Sequence, residues 1–294
     1  MKIAISTYSF KQWVDNNGLT NLDTFAKAKE MGFDYIEIAG LEGYSSDREA
    51  ALEYAKKLRA EADKVGIQIV NFVFGCDLLS GAREGGGDID KEMQYVKNMI
   101  DVAEILGVKT VRHDVFFSLG KYASFDQALP VVAPRIREIS EYARTKGIKT
   151  STENHGFLCQ EPARMEKIFN AVACDNFGLL CDMGNFLCTD SDPVQAVATV
   201  APYTVYAHAK DFYFKSGSRL DSPADNQGFF VTRGRNYIKG APVGHGIVPV
   251  VQCLKALKAA GYDGFLTIEY EGTEECIRSI AIGKENLERY ISMI

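Results

Sequence analysis

Helical and strand-like patterning alternates along this chain, and one junction recurs five times: a helix end, a glycine, then a short apolar run. It reads KEMGFDYIEI around Gly32, DKVGIQIVNF around Gly66, EILGVKTVRH around Gly107, RTKGIKTSTE around Gly147 and KAAGYDGFLTIE around Gly261. Glycine just past a helix supplies the left-handed residue that ends it. The β-branched run that follows predicts a strand covered on both faces, as in a parallel sheet. Strand, helix and glycine in series make βα units. The strands finish in polar residues: Glu37, Asn71, Arg112 with His113, Glu153, Asp182, His208 and Glu269. The pattern predicts an α/β chain folded as a single (β/α)8 (TIM) barrel, in which all those ends meet at the face where active sites are built.

Strands are expected over 3–8, 35–38, 67–74, 109–113, 148–153, 177–182, 204–209 and 265–269. Helices are expected over about 22–31, 47–65, 91–106, 125–145, 163–172, 248–260 and 275–290. A further helix opens with Asp192 as N-cap and Pro193 as its first residue. In the 47–65 helix Leu52, Ala55, Leu58 and Ala62 share one face. The repeat runs from end to end without a Pro/Ser-rich linker, so residues 1–294 are expected to form one domain. That length gives roughly 37 residues to each of eight units, ample for strand, helix and loops.

One connection breaks the rhythm. Residues 212–247 separate the seventh strand from its helix, longer than a simple connection needs. The segment carries Arg219, Asp221, Asp225, Asn226, Arg233, Arg235, Asn236, Lys239 and His245. It begins on the active face and is expected to form a lid or specificity loop, with Arg233, Arg235 or His245 reaching the substrate. A glycine-rich run, GAREGGGDIDKE over 81–92, lies too far from its strand for a nucleotide loop and is expected as flexible surface.

Hydrophobic residues make up 46% of the chain, enough for a sizeable core. The formal net charge of −6 argues against a nucleic-acid surface, which needs a basic face. No apolar run approaches the about 18 residues of a membrane span, and MKIAISTYSF lacks the plan of a secretory signal. Seven cysteines, without CxxC spacing, fit reduced and mostly buried thiols in a cytoplasmic protein.

Glu153, Asp182, His208 and Glu269 stand at the ends of strands five to eight. Adjacent strands lie about 4.8 Å apart, so four neighbouring ends can encircle one ion. Carboxylate and imidazole ligands without thiolate suit Mn2+, Mg2+, Co2+ or Zn2+. Without a cation, three crowded carboxylates repel and some protonate. Singly, an Asp after a strand is often a helix cap and a His is often a packed side chain. The set, at the correct strand ends, points to one divalent metal ion. Of the four histidines, His113, His155 and His208 fall at or just after strand ends, and His245 falls in the long loop.

The phrases STENHG (151–156), LLCDMGN (179–185), YAHAKD (206–211) and AAGYDGFLTIEYEG (259–272) resemble the xylose isomerase-like sugar phosphate isomerase/epimerase superfamily. They cover the C-terminal half densely. The resemblance implies a metal held by Glu153, Asp182, His208 and Glu269, with the two glutamates facing the reacting carbon from opposite sides. Two stretches depart from it. Gly244-His245-Gly246 stands where relatives commonly read Gly-Glu-Gly. Ketose epimerases of the family usually place a His three residues after the metal Asp and an Arg shortly after the metal His; here those stretches offer Asn185 and Lys215.

The chemistry expected is proton abstraction next to the carbonyl of a ketose or keto-sugar, giving isomerisation or epimerisation. Glu153, Glu269 and His155 are the expected acid/base groups. Glu37, His113, Asn185, Asp211, Arg233, Arg235 and His245 are the expected substrate contacts. His113 and His155 could also protonate a leaving group. That alternative is a metal-dependent lyase or dehydratase acting on a keto-inositol or 3-keto-glycoside. A non-catalytic sugar-binding barrel would be expected to lose a ligand, and none is missing. An endonuclease IV-like repair enzyme, with its many His ligands, fits least. The expected partner is a small carbohydrate, with no nucleic acid and no membrane, in a chain that could form a homo-oligomer.

Overall fold

The computed structural model describes residues 1–82, 86–218 and 227–294. Strands β1 (Lys2–Ser6), β2 (Tyr35–Ala39), β3 (Gln68–Phe74), β4 (Thr110–His113), β5 (Lys149–Glu153), β6 (Phe177–Asp182) and β7 (Thr204–Ala209) follow one another around a parallel barrel. Outside it lie β8 (Asp211–Lys215), β9 (Phe230–Val231) and β10 (Tyr237–Ala241). β11 (Phe265–Ile268) closes the circle, pairing β7 on one side and β1 on the other. The barrel is thus an eight-stranded closed sheet.

Nine α-helices appear among the described residues: α1 (Lys11–Asn17), α2 (Asn21–Glu30), α3 (Arg48–Val65), α4 (Ile89–Leu106), α5 (Phe125–Arg144), α6 (Pro162–Val172), α7 (Pro193–Val200), α8 (Val250–Ala259) and α9 (Cys276–Ser292). The recurring glycines end helices as their position suggests. Gly66 (φ 73°) follows α3 and donates its N–H to Ala62, and Gly107 (φ 75°) closes α4 in the same way. Asp192 caps α7 by accepting from Gln195 N–H, with Pro193 first in the helix. The short α1 lies between the expected first strand and the 22–31 helix, where no element is expected.

The main core sits between barrel and helices. Ile36, Phe72, Val111, Leu179, Ala207 and Leu266 on the strands share it with Leu58, Val96, Ile136, Ile168, Val197 and Leu254 on the helices. Full burial of such an aliphatic side chain contributes roughly 1.5–3 kcal/mol. A small separate cluster of Ala4, Val70, Val73, Leu180 and Tyr206 fills the barrel interior. Strand alternation therefore decides function: along β7, Tyr206 and His208 turn inward, while Ala207 and Ala209 join the outer core. All seven cysteines are free, and six are buried.

The long connection contains a sheet. β8, β10 and β9 pair antiparallel, with Ala241 opposite Asp211 and Tyr237 opposite both Lys215 and Val231. The aromatic and β-branched residues of DFYFK and YIKGA favour strands, and Phe212 and Ile238 are buried there. Arg219, Asp221, Asp225 and Asn226 lie outside the described residues, as does part of the glycine-rich run.

Candidate metal centre and active site

Glu153 and Asp182 end β5 and β6, His208 is the last residue but one of β7, and Glu269 follows β11; together they offer four ligand atoms within 4.8 Å of one another. Register brings them level: Asp182 lies opposite His208, and Thr267, two residues before Glu269, pairs His208 on the other side. His208 Nδ1 is 3.7 Å from Glu153 Oε1, 3.9 Å from Asp182 Oδ2 and 3.7 Å from Glu269 Oε2. Ligands about 2.1 Å from a shared ion stand roughly 3–4 Å apart, so the spacing fits one divalent cation. Asp182 Oδ2 and His208 Nδ1 are buried and have no hydrogen-bond partner. A cation between them satisfies both. The residues present therefore fit a metal.

Neighbouring groups fix which atoms are offered. Asp182 Oδ1 accepts from the N–H groups of Gly184 (2.8 Å) and Asn185 (2.9 Å), leaving Oδ2 turned to the cluster without a hydrogen-bond partner. His208 Nε2 lies 2.9 Å from Glu37 Oε2, so Nδ1 turns to the cluster. Glu37 in turn accepts from Asn71 Nδ2 at 2.8 Å. Glu153 is held at both oxygens, by Arg112 Nε on Oε2 (2.7 Å) and by Asn185 Nδ2 on Oε1 (2.9 Å).

Lys210, absent from the expected site, completes it. Its Nζ is 2.6 Å from Glu269 Oε2 and 3.4 Å from both Asp182 Oδ2 and Glu271 Oε2. Period-two alternation through YAHAKD puts Tyr206, His208 and Lys210 on one face, and that signal was available in the sequence. Arg112 is the second omission. It turns inward onto Glu153 and Asp114, and Asp114 Oδ1 meets His155 Nδ1 at 2.9 Å. With Nδ1 engaged, His155 keeps Nε2 for other partners.

Electrostatics follow from burial and these pairs. Burial pushes the Asp182 carboxyl up to about 7; Lys210 opposes the rise, and Glu153 and Glu269 add to it. Burial alone raises Glu153, but the Arg112 guanidinium overrides it and holds the carboxyl well below the usual range. Glu269 is likewise pulled down against burial by Lys210. In the ion-free cluster burial disfavours the His208 imidazolium, yet Glu37 and Glu269 hold its pKa well above the ordinary value.

Two adjoining cavities lie beside the cluster, and Glu269 lines the smaller. One, of ≈ 260 Å³, is lined by Arg112 and Glu269; the other, of ≈ 380 Å³, by Phe157, Gln160, Asn185 and Phe230. Tyr8, His155, Lys210 and Glu271 line both.

Several expected substrate contacts do other work. His113 points outward, because Arg112 beside it points inward. Its ring lies 6.4 Å from that of Phe74, its Nδ1 bonds the Asp114 carbonyl, and burial lowers its pKa to about 4. Glu37 is fully buried and orients His208. Asp211 accepts four backbone N–H groups, from Phe212, Gly244, Gly246 and Val248, and so clamps the loop before α8. His245, between those two glycines, is exposed and lines neither cavity. Arg235 is exposed and also lines neither. Arg233 pairs with Glu161 and donates to the Phe157 carbonyl, acting on the wall of the site. Of the described residues in the long connection, Gly228 and Phe230 line the larger cavity.

Fold and cluster together define a TIM-barrel protein with a candidate divalent-metal centre at its strand ends. The chain belongs to the xylose isomerase-like TIM barrel family, whose family model matches residues 25–291. The solved structure of IolI protein with a bound zinc atom is similar at a TM-score of 0.73 and 20% identity, covering 100% of this chain and 99% of that one. A probable 3-DHS dehydratase, AsbF of Bacillus anthracis, gives 0.72 and 17%, covering 98% and 99%. An L-ribulose 3-epimerase gives 0.71 and 16%, covering 100% and 95%. These likenesses show the fold. An uncharacterized protein of Methanocaldococcus jannaschii is 26% identical over 52% of this chain, which spans about half (47%) of that relative's length. Among the described residues no helix is long and apolar enough to cross a membrane.

Proposed function

We propose that this protein is a divalent-metal-dependent isomerase or epimerase that removes a proton next to the carbonyl of a ketose or keto-sugar. One observation carries the reading: a cavity lined by Arg112, His155, Lys210 and Glu269 reaches, through Glu269, a four-residue cluster in which two buried atoms lack hydrogen-bond partners. Glu153, Asp182, His208 and Glu269 would hold Mn2+, Mg2+, Co2+ or Zn2+, which when bound would supply Lewis-acid stabilisation of charge developing on the carbonyl oxygen. The residues do the rest. His155, oriented by Asp114, takes or returns a proton at Nε2. Glu269, its side chain 12% exposed, faces the cavity and is the second acid/base group. Glu153, at 2% and bonded at both oxygens, serves as a fixed ligand. Lys210 puts a buried ammonium beside Glu269 on the cavity wall, where it can stabilise developing negative charge.

A β-elimination outcome, as in a lyase acting on a keto-inositol or 3-keto-glycoside, has one observation in its favour. His155 stands on the wall shared by the two cavities, where it can protonate a group leaving from one into the other. Incubating the Mn2+-loaded protein with ketoses, inososes and 3-keto-glycosides, followed by NMR, separates the outcomes. An isomer or epimer supports the first reading and an unsaturated ketone the second. An unchanged panel contradicts both.

A further inference from the structure

The turn after β5 holds a strained aromatic residue that the proposed chemistry leaves unused. Gly156 and Phe157 both have positive φ, 72° and 61°, and left-handed backbone disfavours a bulky residue such as Phe. Both sides of Phe157 are tied: its N–H donates to Gln160 Oε1 at 2.6 Å, and its carbonyl accepts from Arg233, which also pairs with Glu161. Gln160 is buried, with Nε2 on the Asn185 carbonyl at 3.1 Å. A Cβ on Gly156 would stand 2.6 Å from the Phe117 ring, so only glycine fits ahead of Phe157. The outcome is a phenylalanine left 42% exposed on the wall of the larger cavity, which Phe230 also lines. Burying that ring would stabilise the fold, and strain of this kind concentrates at ligand sites.

We propose that the larger cavity is a subsite for a second ring carried by the substrate and stacked on Phe157, so that the substrate class is a ring-substituted keto-sugar. The inference rests on the reading of the smaller cavity as a keto-sugar site. The two cavities share His155, Tyr8, Lys210 and Glu271, so two rings joined through one linkage can fill both at once. An aryl or a pyranosyl ring offers the flat face that an aromatic platform accepts. Arg233 is then a positioning residue, which presents Phe157 by holding its carbonyl.

Isothermal titration calorimetry of the full Mn2+-loaded chain tests this with 3-keto-glucose, its methyl and phenyl glycosides, and a 3-keto disaccharide. The phenyl glycoside, the disaccharide or both are expected to bind roughly tenfold more tightly than the methyl glycoside. The arm that gains tells aryl from pyranosyl. Phe157→Ala is expected to abolish the gain and Phe157→Tyr to keep it, with Phe230→Ala as a second probe should Phe157→Ala fail to fold. Equal binding of all glycosides, or a gain that survives Phe157→Ala, overturns the subsite alone. No binding of any of the four overturns the subsite and the keto-sugar reading beneath it.

Discussion

Glu37 Oε2 lies 2.9 Å from His208 Nε2, and both side chains are fully buried. Glu37 lies outside the four-ligand cluster, yet it decides which nitrogen His208 presents to it. Glu37→Gln is expected to weaken divalent-metal affinity by about 10–100-fold, the usual effect of losing a group that orients a ligand histidine. A chelator-competition titration measures it, with circular dichroism showing that the barrel persists. Unaltered affinity contradicts the orienting role.

Metal binding should depend on pH, and the sign follows from Asp182. Burial raises its folded-state pKa from 3.8 to about 7. A carboxyl raised in this way takes up a proton on folding, so it destabilises the ion-free fold as pH climbs from about 4 through about 7. A divalent ion must displace that proton below about 7, and His208 holds a second one in the ion-free cluster. Apparent affinity is therefore expected to rise at least about tenfold per pH unit between 6 and 7. Titrations at several pH values check this; a flat profile speaks against Asp182 as a ligand.

His155 is expected to matter for turnover and not for metal. His155→Ala should lower kcat by roughly 10²–10⁴-fold, the range for a lost acid/base group, while metal content stays as in the wild type. Asp114→Asn should reproduce part of the loss, because Asp114 fixes Nδ1. Steady-state kinetics on whichever keto-sugar reacts, paired with metal analysis, decides the point.

Arg235→Ala and His245→Ala are expected to leave kcat/KM within about twofold, the small effect usual for surface changes away from the site. Both residues are exposed and line neither cavity. A tenfold loss in either variant means that the long connection reaches the substrate through these side chains after all.

The barrel was legible because buried parallel strands read as apolar runs and the intervening helices end in glycine. The cluster of Glu153, Asp182, His208 and Glu269 was legible because each sits at or just past a strand end. What the pattern hides is direction. At the end of β4 the adjacent polar residues Arg112 and His113 face opposite sides, and chemical familiarity favours the histidine. Only the parity of the strand favours the arginine. Lys210 shares the YAHAKD phrase with His208, and alternation places both on the same face. Asp211, His245 and Arg235 show that polarity in a loop carries no orientation: Asp211 turns inward to backbone amides, whereas the other two turn to solvent. The strands β8 and β10 were overlooked because length marked the whole segment as a loop.

Solvent-deuterium incorporation tests the central claim most directly. Wild-type protein loaded with Mn2+ is to be incubated in D2O with a panel of keto-sugars, beside chelator-stripped protein and Asp182→Ala. The account predicts deuterium on the carbon next to the carbonyl of at least one compound, with loss of that exchange in both controls. Absence of carbon-bound exchange across the panel with fully loaded protein, or exchange that persists undiminished in Asp182→Ala, contradicts it.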